Sequence, residues 1–225
     1  MAEQLNNQSA PSMEETLNQS EAFFLKNKFA ILGCVAALVL IVCGFLAYRN
    51  LVSQPKEQKA STLLAKAQEQ FANQNFVVAL NGDSANVQGF LTIAQEYSST
   101  DAGNLANLYA GLCYANLDQW QEAADYLKKF DGASDKMVSP AALGALGNAY
   151  AHLNDLDKAV ETLKKAAEKA DNNALSPTFL IQAGQILESQ NKKAEALKLY
   201  KQVKEKYFQS MQYQTIDEYI ERVSE

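Results

Sequence analysis

Acid–base and metal chemistry need His, Asp, Glu or Cys side chains that converge, and the sequence offers only one histidine, His152. His152 stands just before Asn154 and Asp155, two turn-forming residues that follow a segment with helical spacing of its apolar positions. No triad or zinc cluster can be assembled around it from this sequence. We therefore interpret His152 as a polar residue at a helix end, and we expect that the protein is not an enzyme.

The three cysteines supply no evident nucleophile. Cys34 and Cys43 lie inside one long apolar run, which leaves Cys113 alone in the rest of the chain and excludes a disulfide framework. The position of Cys113 suits a small packing residue. The segment 154–157 lacks the glycine and the glutamate of a calcium loop, and the glycines form no phosphate-binding motif. We expect no metal ion and no other cofactor.

The charge of the chain argues against nucleic acid as a partner. The formal net charge is −6 and the isoelectric point is near 5.0, whereas phosphate binding needs clustered Lys and Arg. We interpret lysine pairs such as 128–129 and 164–165 as solvated surface. Function must therefore be sought in the elements that could hold other kinds of partner.

A single apolar run near the N-terminus predicts a membrane-spanning helix. From Phe29 to Tyr48 the chain carries no charged side chain, and a run of this length spans a bilayer. We predict an anchor helix over residues 20–54, ended by Pro55, after a disordered polar tail over residues 1–19. A cleaved signal peptide is the alternative, but its apolar region would be shorter and would end in a small-residue cleavage pattern.

Internal repeats are the strongest structural signal in the chain. Three glycines recur 36 and 37 residues apart, each is followed twelve residues later by an alanine, and large apolar residues recur around them. Small residues at a crossing let two antiparallel helices approach to about 8–10 Å. The predicted crossing pairs are Gly111 with Ala123, Gly147 with Ala159, and Gly184 with Ala196.

These residues resemble the tetratricopeptide repeat (TPR) family of helix-turn-helix units. The resemblance implies an all-α fold in which a single N-terminal transmembrane helix is followed by an α-solenoid of TPR units and a C-terminal capping helix. Two departures stand out: Asn107 occupies a position where a bulky residue is usual, and turn formers at 81–86 interrupt the first unit. We predict a TPR-like domain over 56–225, with a degenerate unit over 56–102, repeats over about 104–137, 140–173 and 177–210, and a capping helix over 213–223.

The concave face of a TPR solenoid is lined by the first helix of each unit, and the resemblance makes this groove the candidate binding site. In this chain the face lacks the Lys and Arg residues with which some members bind a C-terminal carboxylate. An uncharged groove with Leu and Tyr suits an extended or a helical apolar segment of another protein, and the alternative is that a neighbouring element of the same chain fills it. The predicted groove residues are Leu105, Leu108, Tyr109, Leu112, Asn116, Asn148, His152, Ile181, Gln182 and Gln185.

The order of a short tail, one span, Pro55 and a small TPR domain resembles the YfgM-like family, the ancillary subunits of the bacterial Sec translocon. The resemblance implies a single-pass inner-membrane protein with a periplasmic TPR domain, whose partners are translocon subunits, exported or unfolded chains and envelope proteins. A scaffold for cell-envelope assembly or division is one alternative. A cytosol-facing regulatory adaptor is another, because four basic residues follow the span closely and only two precede it.

Overall fold

The described part of the chain is helical. The computed structural model describes residues 13–83, 86–132 and 135–224, with the backbone alone for residues 13–24. Within these ranges every regular element is a helix, apart from one isolated antiparallel bridge that joins Gly82 to Gln88. The predicted all-α fold class is therefore confirmed.

The first of two compact units, Met1–Pro55, contains helix α1, Met13–Tyr48, and a π-helical turn, Arg49–Ser53. α1 begins earlier than the start that we predicted at residue 20, because the sequence has no glycine or proline between Pro11 and that position. Residues 13–19 are therefore helical rather than part of a disordered tail. Residues 1–12 of that predicted tail lie outside the described residues.

The apolar run of α1 is exposed. Phe29, Leu40 and Ile41 expose 79%, 73% and 72% of their surface, and no residue of the most apolar stretch is buried. The helix is long and apolar enough to cross a bilayer. A signal sequence near an N-terminus passes the same test of length and composition, so the membrane span stays a prediction.

Pro55 does not end a helix, in contrast to the prediction. Helix α2, Gln54–Ala72, begins one residue before it. The π-helical turn Arg49–Ser53 passes directly into α2, and the Gln54 N–H donates to the Arg49 carbonyl, so the helix is continuous through Pro55. A π-helical turn accommodates the hydrogen bond that proline cannot donate.

The second unit, Lys56–Glu225, is a solenoid in which each helix from α5 onward packs against the next one. The repeats predicted from the glycine spacing are the helix pairs α5–α6, α7–α8 and α9–α10. The helices after α2 are α3, Phe76–Asn81; α4, Phe90–Glu96; α5, Asp101–Asn116; α6, Trp120–Lys129; α7, Val138–His152; α8, Leu156–Ala170; α9, Ser176–Ser189; α10, Lys193–Lys206; and α11, Ile216–Ser224.

Left-handed turn residues join the two helices of each repeat. Asp118, Asn154 and Asn191 have φ angles of 58°, 60° and 59°, and they lie between α5 and α6, α7 and α8, and α9 and α10. Asn and Asp tolerate this backbone conformation better than most side chains do. The turns thus recur with the same 36- and 37-residue spacing as the glycines.

All three first helices begin before the predicted repeat boundaries, and side chains upstream of α5 and α7 cap their first turns. Thr100 Oγ1 accepts a hydrogen bond from the Gly103 N–H at 2.9 Å at the start of α5. Asp135 Oδ1 accepts from the Val138 N–H at 2.5 Å at the start of α7. Hydrogen bonds from the Ser139 hydroxyl and from backbone N–H groups lower the pKa of the Asp135 carboxyl to about 2.

The repeat glycines face large side chains on the second helix of their own unit. A Cβ atom at Gly147 would lie 2.7 Å from Leu163 Cγ, and one at Gly184 would lie 2.3 Å from Tyr200 Cε1. The alanines that we predicted as crossing partners are fully buried, but they are not the nearest contacts of the glycines. The crossing is therefore close because a glycine leaves room for a leucine or a tyrosine.

The interrupted first unit packs onto α5 through an aromatic cluster. Ring centroids of Phe71 and Phe90 lie 5.3 Å and 5.1 Å from that of Tyr109, in edge-on and stacked geometry respectively. Glu57 of α2 accepts hydrogen bonds from two backbone N–H groups at the start of α5, at 2.7 and 3.0 Å. α2 is therefore held to α5 by both apolar contacts and a helix cap.

The C-terminal helix covers the last repeat. Ile216 and Val223 of α11 are buried in the same apolar cluster as the side chains of α9 and α10. We predicted the capping helix over 213–223 with Tyr213 on its apolar face. Tyr213 instead lies in a 3-10 turn, Met211–Gln214, and is 40% exposed, because α11 starts only at Ile216.

Candidate peptide-binding groove

One face of α7 forms the floor of the candidate binding groove. Val138, Ala141, Ala145, Asn148 and His152 follow one another at three- and four-residue spacing, which aligns them on one side of a helix. The first two and the last are exposed, and the other two are half-buried. Two cavities open along this face, one at each end of α7, and we call this surface the groove.

The N-terminal end of the groove is apolar. A cavity of 320 Å³ lies between α5, the start of α7 and the residue before α9. Met137 and Val138 are adjacent and expose 54% and 45% of their surface there, beside the apolar lining of the cavity. The lining residues are Leu108, Leu112, Met137, Val138, Ala141, Ala142 and Leu175.

The C-terminal end of the groove combines aromatic and amide groups in a cavity of 440 Å³. The rings of Trp120 and His152 are stacked with centroids 3.6 Å apart and an interplanar angle of 5°. Gln182 Oε1 is buried and accepts no hydrogen bond from any described residue. The lining residues are Ala115, Trp120, Ala145, Asn148, Ala151, His152 and Gln182.

The walls of the groove carry almost no charge. α7 contains no Asp, Glu, Lys or Arg; the acidic residue of α5 is Asp101, in its first turn. Glu188 of α9 is ion-paired with Arg222 of α11. A ligand of the groove would therefore be selected by apolar contacts and amide hydrogen bonds rather than by its net charge.

The structure brings together half of the ten predicted groove residues and separates the rest. The residues that line the two cavities are Leu108, Leu112, Asn148, His152 and Gln182. Gln185 lies one turn after Gln182 on α9 and is exposed, but it borders neither cavity. Asn116 is exposed at the end of α5, where its Nδ2 donates to the Leu112 carbonyl at 2.8 Å.

Three other predicted residues belong to the core and not to the groove. Tyr109 is half-buried, stacks on Phe90 and packs against the apolar cluster of helices α2 to α5. Leu105 packs between that cluster and the cluster of α5, α6 and α7, and Ile181 is buried among the side chains of α9 and α10. The sequence alone does not separate these faces, because every side of the first helix in a TPR unit is largely apolar.

Sequence reasoning missed three apolar residues of the groove, of which Met137 and Val138 are exposed and Leu175 is half-buried. Met137, Val138 and Leu175 stand at or just before the starts of α7 and α9, whereas the predicted groove residues lie further inside the helices. The signal for them is the apolar pair Met137–Val138 next to the cap residue Asp135. Trp120, one of the large residues that recur around the repeat glycines, lies between units at the edge of the groove.

The other candidates for chemistry have packing roles. The Cys113 side chain is fully buried, and this burial raises the pKa of its thiol to about 12, which keeps it protonated. Within the part of the chain that the structure describes, no three His, Cys, Asp or Glu side chains are placed to hold a metal ion.

Comparisons with known proteins identify a family for most of the second unit and agree with its helical repeat fold. A family model for the N-terminal domain of EccA1, an ESX-1 protein of the type VII secretion system (T7SS), matches residues 72–215, which is more than half of the chain. No curated protein matches the chain. The matched family differs from the YfgM-like family that the sequence resembles.

A solved structure shares the fold. The crystal structure of nearly identical TPR-like repeats from Podospora anserina, described as a kinesin light chain, matches with a TM-score of 0.57 at 13% identity. The match covers 74% of this chain and 85% of that chain. The predicted TPR-like helical repeat array is therefore confirmed.

Proposed function

Because the chain belongs to the family of the EccA1 N-terminal domain, we propose that it is a docking subunit for proteins of a T7SS-like secretion pathway. The observation that carries the proposal is the uncharged groove on α5, α7 and α9, which lies within the matched residues. Binding is non-covalent and needs neither a cofactor nor a catalytic group. Its partners are components or substrates of the secretion machinery.

The two ends of the groove bind different groups of the partner, apolar side chains at one end and hydrogen-bonding groups at the other. At the apolar end, Leu112, Val138 and Leu175 surround a cavity that suits one or two apolar side chains of the partner. Full burial of one such side chain contributes about 1.5–3 kcal/mol, and micromolar affinity needs about 8 kcal/mol after the costs of association. The apolar cavity is therefore too small to act alone, and the amides of Asn148 and Gln182 supply the remaining contacts.

We also propose that α1 anchors this domain to the bacterial inner membrane as a single span. The exposed apolar surface of α1 supports the anchor. The resemblance to YfgM-like proteins favours a periplasmic second unit, whereas the basic residues after the span favour a cytosolic one. Protease added to spheroplasts degrades a periplasmic domain and leaves a cytosolic one intact.

A second candidate function is a chaperone-like adaptor at the Sec translocon. One observation favours it: the family match begins at residue 72, so it does not account for the exposed apolar helix α1. An anchor followed by a small TPR domain is the architecture of the YfgM-like family. A scaffold for envelope assembly would share the anchor but would hold a few folded partners.

Photocrosslinking from the groove tests these proposals. A photoreactive residue at Leu112 of the full-length protein, in its own membranes, should capture secretion-machinery proteins that mass spectrometry identifies. Ala141→Arg places a bulky charged group on the groove floor and should abolish this capture, whereas Ala194→Arg, on the exposed start of α10, should leave it unchanged. Capture of translocon subunits with many unrelated exported chains would favour the Sec candidate. Capture that Ala141→Arg does not reduce would refute the groove as the binding site.

A further inference from the structure

A third cavity, of 540 Å³, lies outside the groove. It opens between α4 and α6, with α5 between them, and we call it the cleft. It shares no lining residue with the groove, so binding at the cleft is independent of the proposed function. The lining residues are Leu91, Ala94, Gln95, Ser98, Asn107, Tyr126 and Lys129.

The cleft exists because the first repeat departs from the pattern of the other two. Asn107 lies in the cleft wall. The equivalent residue is Leu143 in the second repeat, 36 residues later, and Leu180 in the third, a further 37 residues on. Leu180 is buried in the core, and Leu143 packs against the same cluster. At the corresponding junction of α6, α7 and α8, Leu143 borders a cavity of only 80 Å³. A short polar side chain thus stands where leucine would close the space.

The length of α4 enlarges this opening. α4 has 7 residues, whereas the corresponding second helices α6 and α8 have 10 and 15. The interrupted first unit therefore covers less of α5 than a complete second helix would.

One cation at the cleft, Lys129, forms no salt bridge with a described residue. Among the residues that line the cleft, Lys129 alone is charged, and its Nζ lies 4.0 Å from the centroid of the Tyr126 ring. No carboxylate of the described residues lies within salt-bridge distance of it; Asp125 attracts it from further away and binds Lys128 instead, at 2.8 Å. This ammonium group is thus held over an aromatic face with its remaining donors free for a ligand.

The other polar groups of the cleft also offer donors. Gln95 and Ser98 are exposed, and Asn107 Nδ2 donates to the Gly103 carbonyl at 3.3 Å, a long hydrogen bond. Leu91 and Ala94 add an apolar strip to the same cavity. An anionic group attached to short methylene groups is complementary to this combination.

We infer that the cleft is a second binding site, which takes the carboxylate of an acidic side chain from a partner protein. A glutamate suits it best, because its two methylene groups can lie on Leu91 and Ala94 while its carboxylate reaches Lys129. The cleft therefore selects a partner by its negative charge, whereas the groove selects it by apolar contacts.

Methyl NMR of the full-length protein in detergent micelles tests this site. The probe is a short alanine-based peptide with a single glutamate, blocked at both ends. It should shift the methyl signals of Leu91 and Ala94 in a saturable manner, and the matched glutamine peptide should bind at least tenfold more weakly. A glutamine peptide with a free C-terminal carboxylate tests whether the carboxylate at a chain end can replace that of a side chain. It should also bind at least tenfold more weakly than the glutamate peptide.

Three variants complete the test. Lys129→Gln should reduce the affinity for the glutamate peptide at least tenfold, whereas Lys164→Gln, which removes an exposed lysine of α8, should not change it. Asn107→Leu restores the residue of the other two repeats and should abolish binding while the protein stays folded. Absence of shifts up to about 10 mM peptide, equal binding of the glutamine peptide, or unchanged binding by Lys129→Gln would each overturn the inference.

Discussion

At Gly147, one missing methyl group decides how closely α7 and α8 pack. A Cβ atom there would lie 2.7 Å from Leu163 Cγ and 3.3 Å from the Leu163 backbone nitrogen, and the Leu163 side chain is fully buried. A clash with a side chain that has no free space must move a helix or force a strained rotamer. The same geometry recurs at Gly111 and Gly184, so each repeat depends on one glycine.

Gly147→Ala should therefore destabilise the second unit. We expect the free energy of unfolding to fall by about 1–3 kcal/mol, even though alanine favours a helix over glycine by about 0.5–1 kcal/mol. Urea unfolding followed by circular dichroism measures the change. Gly33→Ala is the matched control, because no described atom lies within 4 Å of a Cβ at that position of α1. An unfolding midpoint for Gly147→Ala that equals or exceeds that of wild type would show that the crossing of α7 and α8 accommodates the added methyl group.

At the scale of elements, a single carboxylate joins the last three helices. Glu188 of α9 accepts hydrogen bonds from Arg222 of α11 at 2.7 and 2.8 Å, and from the hydroxyl of Tyr200 of α10. The hydrogen bond from Arg222 is the main reason why the pKa of Glu188 lies below its ordinary value. Burial of the Tyr200 side chain, with Glu188 beside it, raises the pKa of the phenol. These contacts fix α11 on the end of the solenoid.

This carboxylate makes the stability of the C-terminal repeat depend on pH. Because the pKa of Glu188 is lower in the folded protein, its contribution is complete above the unfolded pKa of about 4.3 and is lost as pH falls through the folded pKa. Glu188→Gln should therefore destabilise the protein at pH 7, and the difference from wild type should shrink in acid.

Urea unfolding at pH 7 and at acidic pH measures this difference. Glu168→Gln, an exposed glutamate of α8, serves as the control and should change stability little at either pH. A difference between wild type and Glu188→Gln that stays constant with pH would mean that the ion pair with Arg222 does not stabilise the fold.

At the scale of the whole molecule, α1 should determine where the protein resides. Val39 lies near the middle of the apolar run, and arginine at the centre of a spanning helix costs about 2.5–3.5 kcal/mol in insertion. Val39→Arg should move a large fraction of the full-length protein from the carbonate-resistant membrane pellet to the soluble fraction. Asn50→Arg, beyond the end of the run, should leave the distribution unchanged. A mature protein whose mass lacks α1 would identify the segment as a cleaved signal sequence.

The groove and the cleft show why only some residues of a binding surface can be predicted from the sequence. Helical periodicity identifies a helix and its most apolar side, but α5 and α9 bury residues on several sides. Helical spacing along α5 predicts that Tyr109 lines the groove. The rings of Phe71 and Phe90, from the interrupted unit, instead pack against the Tyr109 ring. Asn107 is visible in the sequence as a departure from the pattern, but the volume that it leaves open depends on the length of α4.

The sequence by itself determined the all-α repeat fold, because a glycine, a turn former and large apolar residues recur with a period that one helix pair fills. It also indicated the apolar helix α1, the lack of charge in the groove and the absence of an evident catalytic constellation, since these follow from residue types alone. Only the tertiary structure decided which large residue faces each glycine, which apolar side chains stay exposed, and which cation at the cleft forms no salt bridge with a described residue. Those properties depend on distances between residues far apart in the chain, and local spacing does not specify such distances.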